Sequence, residues 1–189
     1  MIEGLYKPFS HWGQNGGVWV ISDTHFGEDD LKQGIKSRPD DEVLLKNINQ
    51  KVGKNGTLIH IGDVGDIEYA KRLKGYKILI LGNHDRMPEY WDGVFDEVYS
   101  DMLIISPKII LSHEPIPNFS YMYNIHGHVH NGKQFSSGKM NVCADVIGYE
   151  PVNFNQFIKS GKLKECESLH RSTIDTATER AKKRGKKYA

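Results

Sequence analysis

Cysteine is scarce in this sequence: Cys143 and Cys166 are the only two among 189 residues, far apart and without the close spacing of a thiolate metal site. That scarcity excludes a disulfide-stapled scaffold and a zinc-finger type of centre. It points to a reducing compartment, with both thiols buried or inert. An excess of charge of one sign is also missing. Lys and Arg number 25 against 24 Asp and Glu, a formal net charge of +1, so the overall balance calls for neither nucleic acid nor an anionic membrane as partner. No apolar run approaches the roughly 20 residues needed to cross a bilayer. Met1 to Gly17 carries several glycines, Lys7 and His11 rather than the apolar core of a signal peptide. The expectation is a cytoplasmic protein with no membrane partner. No internal repeat and no long low-complexity linker is visible, and nothing in the pattern speaks to oligomeric state.

What is present is ordinary for a globular chain. Apolar residues make up 38% and charged residues 26%, too apolar for disorder, and the length suits a single hydrophobic core. Short runs rich in Val, Ile and Leu predict buried strands at Val18 to Ser22, Thr57 to Ile61, Lys77 to Leu81, Lys108 to Ser112, Met122 to His126 and Lys139 to Ala144. Leu44, Leu45, Ile48 and Val52 recur at helical spacing behind Asp40 or Asp41 as a cap, predicting a helix over Asp41 to Val52. A second helix is predicted from Asp66 as N-cap to Lys74, stopped by Gly75, and a last one over Phe154 to Ser160, stopped by Gly161. Strand and helix alternate through about residue 90 and strands dominate from Val98 to Ala144, an α/β pattern that turns more β later. Residues 1–161 read as one folded domain. Residues 162–189 read as a charged C-terminal extension, helical or partly disordered. Its basic end, with Lys182, Lys183, Arg184, Lys186 and Lys187, fits a solvated helix and frayed tail better than a nucleic-acid contact.

Five groups of potential metal ligands each stand immediately after one of these apolar runs. They are Asp23-Thr24-His25, Gly62-Asp63, Gly82-Asn83-His84-Asp85, His113, and Gly127-His128-Val129-His130. In open α/β sheets the loops beyond the carboxyl ends of the strands converge on one rim, so groups distant in sequence become neighbours in space. Carboxylate and amide oxygens mixed with imidazole nitrogens suit Mn, Fe, Ni or Zn better than Ca or Mg. There are more donors than one tetrahedral zinc ion uses, whereas two ions sharing a bridging carboxylate would use them well. In Asp23-Thr24-His25 and His128-Val129-His130 the donors sit at i and i+2, which puts both side chains on one face of extended backbone. Gly62, Gly82 and Gly127 precede ligands, where close backbone approach or a positive φ is useful.

The set DTH at 23–25, GDVGD at 62–66, GNHD at 82–85, His113 and GHVH at 127–130 resembles the calcineurin-like metallophosphoesterases. The resemblance covers roughly residues 18–158. VISDTHFG near the start and NVCADVIGYEPV at 141–152 are similar to the small single-domain bacterial and phage members. It implies a two-sheet β-sandwich flanked by helices, the four-layer fold of that superfamily. It also implies that Asp23, His25, Asp63 and His130 hold one metal, that Asp63 bridges to a second, and that Asn83, His113 and His128 complete the second site. His84 would be the catalytic histidine, with Asp66 accepting a hydrogen bond from it to fix its tautomer. The implied cofactors are two divalent transition-metal ions, Mn2+ foremost with Fe, Ni or Zn as alternatives. The implied activity is hydrolysis of a phosphate ester by a hydroxide bridging the metals, with His84 assisting the leaving oxygen.

Departures from relatives narrow the reading. Protein phosphatases of the superfamily carry an Arg directly after GDxxD, but Ile67 follows Asp66 here, which argues against a protein phosphatase and for a small phosphodiester substrate. Small relatives with the ISDTHFG start often continue with His, where this chain has Glu28; that change leaves every ligand intact and bears on substrate contacts. Arg38 and Arg86 are the candidates for a replacement phosphate grip, with solvent exposure the default for both. His60 and His126 read as structural histidines within strands, and His11 and His170 as surface residues. Glu114 to Tyr123, with Pro115, Pro117, Phe119, Tyr121 and Tyr123, reads either as a wall of the substrate cleft or as ordinary packing. The alternatives in function are a phosphomonoesterase, a nuclease, whose basic groove only the tail offers, and a protein-docking module that has lost its metals, which the full ligand set disfavours.

Overall fold

The apolar runs at Val18–Ile21 (β1), Thr57–His60 (β2) and Tyr76–Ile80 (β3) pair in parallel, with Glu97–Tyr99 (β4) continuing the sheet beyond β3. This is a computed structural model; it describes residues 4–35, 37–117, 121–166 and 169–185, with only the backbone described at 31–33, 165, 169–175 and 185. Between the strands lie the helices Asp29–Gly34 (α1), Asp41–Val52 (α2) and Ile67–Ala70 (α3). A second sheet follows from Leu103–Ser106 (β5), Ile109–Ser112 (β6), Tyr123–His126 (β7), Phe135–Ser136 (β8) and Lys139–Asn141 (β9), ordered β5-β6-β7-β9-β8. Here β6, β7 and β9 run parallel while β5 and β8 close the edges antiparallel. The chain then returns to the first sheet as Val152–Asn153 (β10), antiparallel to β1, and ends in Phe154–Lys159 (α4) and Leu169–Gly185 (α5).

The β1, β2 and β3 runs are apolar almost throughout because both faces of this sheet are covered. Side chains alternate across a strand, so Val18, Val20, Ile59, Ile61, Ile78 and Ile80 point toward the second sheet. There they share a core with Ile105, Ile109, Leu111, Ile125, Met140 and Val142. Ile21, Leu58 and Leu79 point the other way and pack with Leu44, Leu45, Ile48 and Val52 of α2, with Ala70 and Leu73, and with Trp91 and Phe95. The fold is therefore the expected two-sheet α/β sandwich, five mixed strands to a sheet, flanked by helices. At one rim the sheets are joined by backbone: Ser22 N donates to Val142 O at 3.0 Å and Ala144 N donates to Ser22 O at 3.0 Å. Among the described residues no helix is long and apolar enough to cross a membrane.

Differences from the sequence reading are local and have identifiable causes. The strand expected over Lys139 to Ala144 ends at Asn141, because Val142 to Ala144 turn to bond with Ser22. The helix expected to reach Lys74 stops at Ala70, and Lys74 N donates instead to Asn49 Oδ1 at 2.8 Å. Asp66 does cap that helix, accepting from Glu68 N. Asp40 has the extended backbone of an N-cap without a side-chain bond, while the Asp41 carboxylate accepts from Gly27 N at 2.9 Å and ties α2 to the loop after β1. The strands β4, β8 and β10, of two or three residues, are too short to give a period, and β5 was not expected either. Leu163 and Cys166, beyond the expected domain end, pack on the inter-sheet core, and the Lys108 ammonium donates to both their carbonyls. Thr176 to Arg184 on α5 are exposed, as expected of a charged helix, while Lys186 and Lys187 lie outside the described residues.

The N-terminal segment is held to the edge strand β4 by one carboxylate. Glu97 Oε1 accepts from His11 Nε2 at 2.6 Å and from Trp12 Nε1 at 2.9 Å, and Oε2 accepts from the Tyr99 hydroxyl. Trp12 itself is wholly buried. Burial pushes the Glu97 carboxyl up, but hydrogen bonds from Tyr99, His11, Trp12 and Tyr76 outweigh it and hold the group below its ordinary value of 4.5. A depressed carboxylate contributes stability that is fully present above its unfolded pKa and lost as pH falls through the folded one. Glu97→Gln is expected to cost about 1.5–3 kcal/mol at pH 7. Urea unfolding at pH 7 and at pH 3 should show the difference between wild type and variant shrinking at the lower pH.

Candidate metal centre

The donor groups stand at the carboxyl ends of β1, β2, β3, β6 and β7, on the rim where the two sheets are joined. They fall into two clusters. The ligand atoms of Asp23, His25 and His130 lie within 4.8 Å of one another, and so do those of Asp63, His113 and His128. Asp63 Oδ2 stands between the clusters, 3.5 Å from His25 Nε2 and 3.3 Å from His113 Nε2. Asn83 belongs with the second, its Oδ1 lying 3.0 Å from His113 Nε2 and 3.1 Å from His128 Nδ1.

The backbone is bent to achieve this. Among the described residues, Asp23, His25, Asp63 and His128 are four of the five non-glycine positions with positive φ, at 57°, 40°, 57° and 66°. Such conformations cost free energy and persist where the surroundings over-determine them, which is common at functional sites. Gly62 takes a φ of 80° before Asp63, and a Cβ on Gly127 would overlap the Asp23 carboxylate. Asp85 braces two of the loops at once, accepting from Asp63 N at 2.8 Å and Gly82 N at 2.8 Å through Oδ2 and from Val64 N at 2.9 Å through Oδ1.

The donors fit divalent cations on a specific observation: His25 Nε2 is buried, has no hydrogen-bond partner, and faces the carboxylates of Asp63 and, at 3.9 Å, Asp23. An imidazole nitrogen left bare beside two carboxylates is an expensive arrangement that a cation would complete. Electrostatics agree. Burial pushes the Asp63 carboxyl up, but the hydrogen bond and charge of His113, the His84 N–H and the charge of His25 hold it down at about 2. Burial pulls His113 down, yet its bonds to Asp63 and the Ile61 carbonyl and the charges of Asp23 and Asp63 raise it to about 9. The proton on His113 thus offsets anionic charge that a metal ion would otherwise neutralise.

Other expected residues fall differently. His84 is exposed and in neither cluster; its ring is 5.4 Å from that of His25, and its backbone N–H donates to Asp63 Oδ1 at 2.9 Å. The expected Asp66 bond to His84 is not formed; Asp66 Oδ1 instead caps α3, accepting from Glu68 N at 2.8 Å. Arg38, for which exposure is the default, is instead buried: Nη1 donates to Asp145 Oδ1 at 2.8 Å, and Nη2 donates to the Asp23 and Thr24 carbonyls. Arg86 is exposed and lies over the Tyr90 ring at 4.8 Å. Glu28 accepts from His25 Nδ1 at 2.9 Å, so it touches one of the candidate donors. His60 bonds Thr24 and is held at about 3 by burial, and His126 Nδ1 donates to the Gly127 carbonyl; both are structural, as expected. His11 is exposed and paired with Glu97, while the His170 side chain lies outside the described residues.

Sequence reasoning passed over Asp145, whose Oδ2 accepts from His130 Nδ1 at 2.6 Å. The signal was present, since Asp145 follows the sixth apolar run as the other donor groups follow theirs. Among the described residues, two clefts flank the centre. One, about 660 Å³, is lined by Ile35, His128, Val129, His130, Asp145 and Tyr149 among others; the second, about 510 Å³, by Asn83, Met102, His113, Glu114, Pro115 and Ile116 among others. The Glu114 to Tyr123 segment is thus divided: Pro115 to Pro117 form cleft wall, Tyr123 is core, and Phe119 lies outside the described residues.

No protein-family model matches the chain, and no curated protein sequence matches it. Among solved structures it is similar to a protein of unknown function, AQ665 from Aquifex aeolicus, with 26% identity, a TM-score of 0.63, and 76% of this chain and 98% of that one covered. The Pseudomonas putida nuclease MPE aligns at 23% identity and a TM-score of 0.44 over 60% of this chain and 61% of that one. The E. coli phosphoesterase YfcE aligns at 14% identity and a TM-score of 0.38 over 72% and 81%.

Asp85→Ala would strand three backbone N–H groups at the two ligand-bearing loops. The expected loss is about 3 kcal/mol or more, with a smaller loss for Asp85→Asn, which keeps one acceptor oxygen. Chemical denaturation of the metal-free variants checks it.

Proposed function

We propose that this chain is a metal-dependent phosphoesterase; its fold and its donors fit the calcineurin-like metallophosphoesterase superfamily, at low sequence identity. The observation that carries the reading is the pair of donor clusters with the Asp63 carboxylate between them. In this reading Asp23, His25 and His130 hold one divalent ion, Asn83, His113 and His128 hold the other, and Asp63 is shared. Mn2+ is the foremost candidate, with Fe, Ni and Zn as alternatives. When bound, the ions would supply an acidified water and positive charge for the non-bridging phosphate oxygens.

The rest falls to the chain's own groups. Asp63 stays ionised, available to both clusters. His84, exposed and with its ring toward His25, is the side chain free to hand a proton to a departing alkoxide. It acts without Asp66 in this geometry. Residues 1–161 carry every donor and catalytic residue in this reading, with Leu163 and Cys166 packed on the same core, and the protein works in the cytoplasm.

The preferred substrate class is a small phosphodiester. A monoester dianion calls for an Arg or Lys beside the metals. Ile67 occupies the usual position, and the Arg38 guanidinium is already spent on Asp145 and two carbonyls. The described residues lining the two clefts include acids, Asp145 on one side and Asp101 and Glu114 on the other, and no Lys or Arg. Two clefts leaving one centre also suit an ester with two substituents. A nucleic-acid strand is a diester too, and the exposed Arg180, Lys182, Lys183 and Arg184 of α5 are what favours that variant.

With Mn2+ or Ni2+ supplied, kcat/KM for bis(p-nitrophenyl) phosphate is expected to exceed that for p-nitrophenyl phosphate at one pH and one metal concentration. A chelator is expected to abolish both activities and added metal to restore them. Clear preference for the monoester overturns the diester reading, and hydrolysis unaffected by chelation overturns the metal reading.

A further inference from the structure

The two clusters are supported differently from behind. In the first, each histidine donates a hydrogen bond from Nδ1 to a carboxylate: His25 to Glu28 at 2.9 Å, and His130 to Asp145 at 2.6 Å. The Asp145 carboxylate is itself fixed, because its other oxygen accepts from Arg38 Nη1 at 2.8 Å, and the Arg38 and Asp145 side chains are 0% and 3% exposed. The same guanidinium reaches the carbonyls of Asp23 and Thr24, so one buried cation sets both the loop that carries Asp23 and His25 and the carboxylate that orients His130. In the second cluster the support is neutral. His113 Nδ1 donates to the Ile61 carbonyl at 2.9 Å, while His128 Nδ1 faces Asn83 Oδ1, a donor of the same cluster, at 3.1 Å. His128 and Asn83 are also exposed, whereas His25 is buried.

Resting on the metal-centre reading above, we infer that Arg38, Asp145 and Glu28 are positioning residues that make the Asp23–His25–His130 cluster the tighter of two unequal metal positions. A carboxylate behind a ligating imidazole fixes the ring and its tautomer and strengthens the nitrogen that faces the ion, and loss of such a partner typically weakens metal binding about 10–100-fold. A backbone carbonyl orients a ring without adding charge. Arg38 contributes by restricting Asp145 to one orientation, so its removal acts through His130 without touching an ion. Glu28 is 39% exposed on its side chain, so its influence is screened by water and smaller than that of buried Asp145.

Isothermal titration of the metal-free full-length chain with Mn2+ tests this. The wild type is expected to bind two ions in separable steps, one at least tenfold tighter. Asp145→Asn is expected to weaken the tighter step by 10–100-fold and to leave the weaker within about threefold; Glu28→Gln does the same to a lesser degree. Glu28 sits near the surface, so its variant tests the claim even if the Asp145 variant folds poorly. A thermal melt of each metal-free variant separates fold damage, which lowers both steps together, from positioning, which lowers one. Two equal steps in the wild type, or variants that shift both steps or neither, overturn the inference while leaving the metal centre intact. A wild type that binds no Mn2+ overturns the metal-centre reading itself.

Discussion

Burying the Asp63 carboxylate among imidazoles is the constraint on which the rest of this structure turns. An ionised carboxylate withdrawn from water costs several kcal/mol unless positive charge or hydrogen bonds replace its hydration. Here Asp63 is almost wholly buried, with Oδ1 accepting the His84 N–H and Oδ2 set between His25 and His113. Holding it there requires a left-handed backbone at Asp63 itself, a positive-φ glycine before it, and a second carboxylate, Asp85, to absorb the N–H groups that the bent loops release. The hydrophobic sandwich supplies the rigid frame that over-determines this strain. Ile59 and Ile61 lock one side of that segment against the second sheet, and Leu58 locks the other against α2.

The same frame explains why residues over a hundred positions apart meet. Ser22 bonds to Val142 and Ala144, stitching the end of β1 to the second sheet, and the Asp23 carboxylate then accepts the His128 N–H with both oxygens, at 3.1 and 2.9 Å. Two half-sites, one from each sheet, become one centre through a few backbone bonds at the shared rim. The surrounding clefts are lined mainly by loops, which leaves substrate choice to residues such as Met102 and Ile116 that are not part of the core.

Much of this was legible in the sequence because the signals were long or repeated. A run such as Thr57 to Ile61, apolar on both faces and followed by Gly-Asp, announces a buried strand with a candidate metal donor at its end. Five such endings identify a rim. The frame of α2 was equally plain from Leu44, Leu45, Ile48 and Val52. What was not legible depended on partners far away in the chain. Nothing near Arg38 says that its guanidinium will be buried against Asp145, 107 positions on, so exposure was the natural default. Glu28 marked itself as a departure from relatives, but only the geometry ties it to His25. Asp66 had two plausible partners, the N–H groups of its own helix and the His84 ring, and it makes the local one, two residues away, as an N-cap. The two-residue strands β8 and β10 are too short to carry any period.

The central claim is that two ions share the Asp63 carboxylate. Anomalous diffraction from crystals grown with Mn2+, recorded at the manganese absorption edge, tests it most directly. Two peaks are predicted, one among Asp23, His25 and His130 and the other among Asn83, His113 and His128, each in contact with an oxygen of Asp63. A single peak at saturating metal, or two peaks with Asp63 touching only one, would contradict the account.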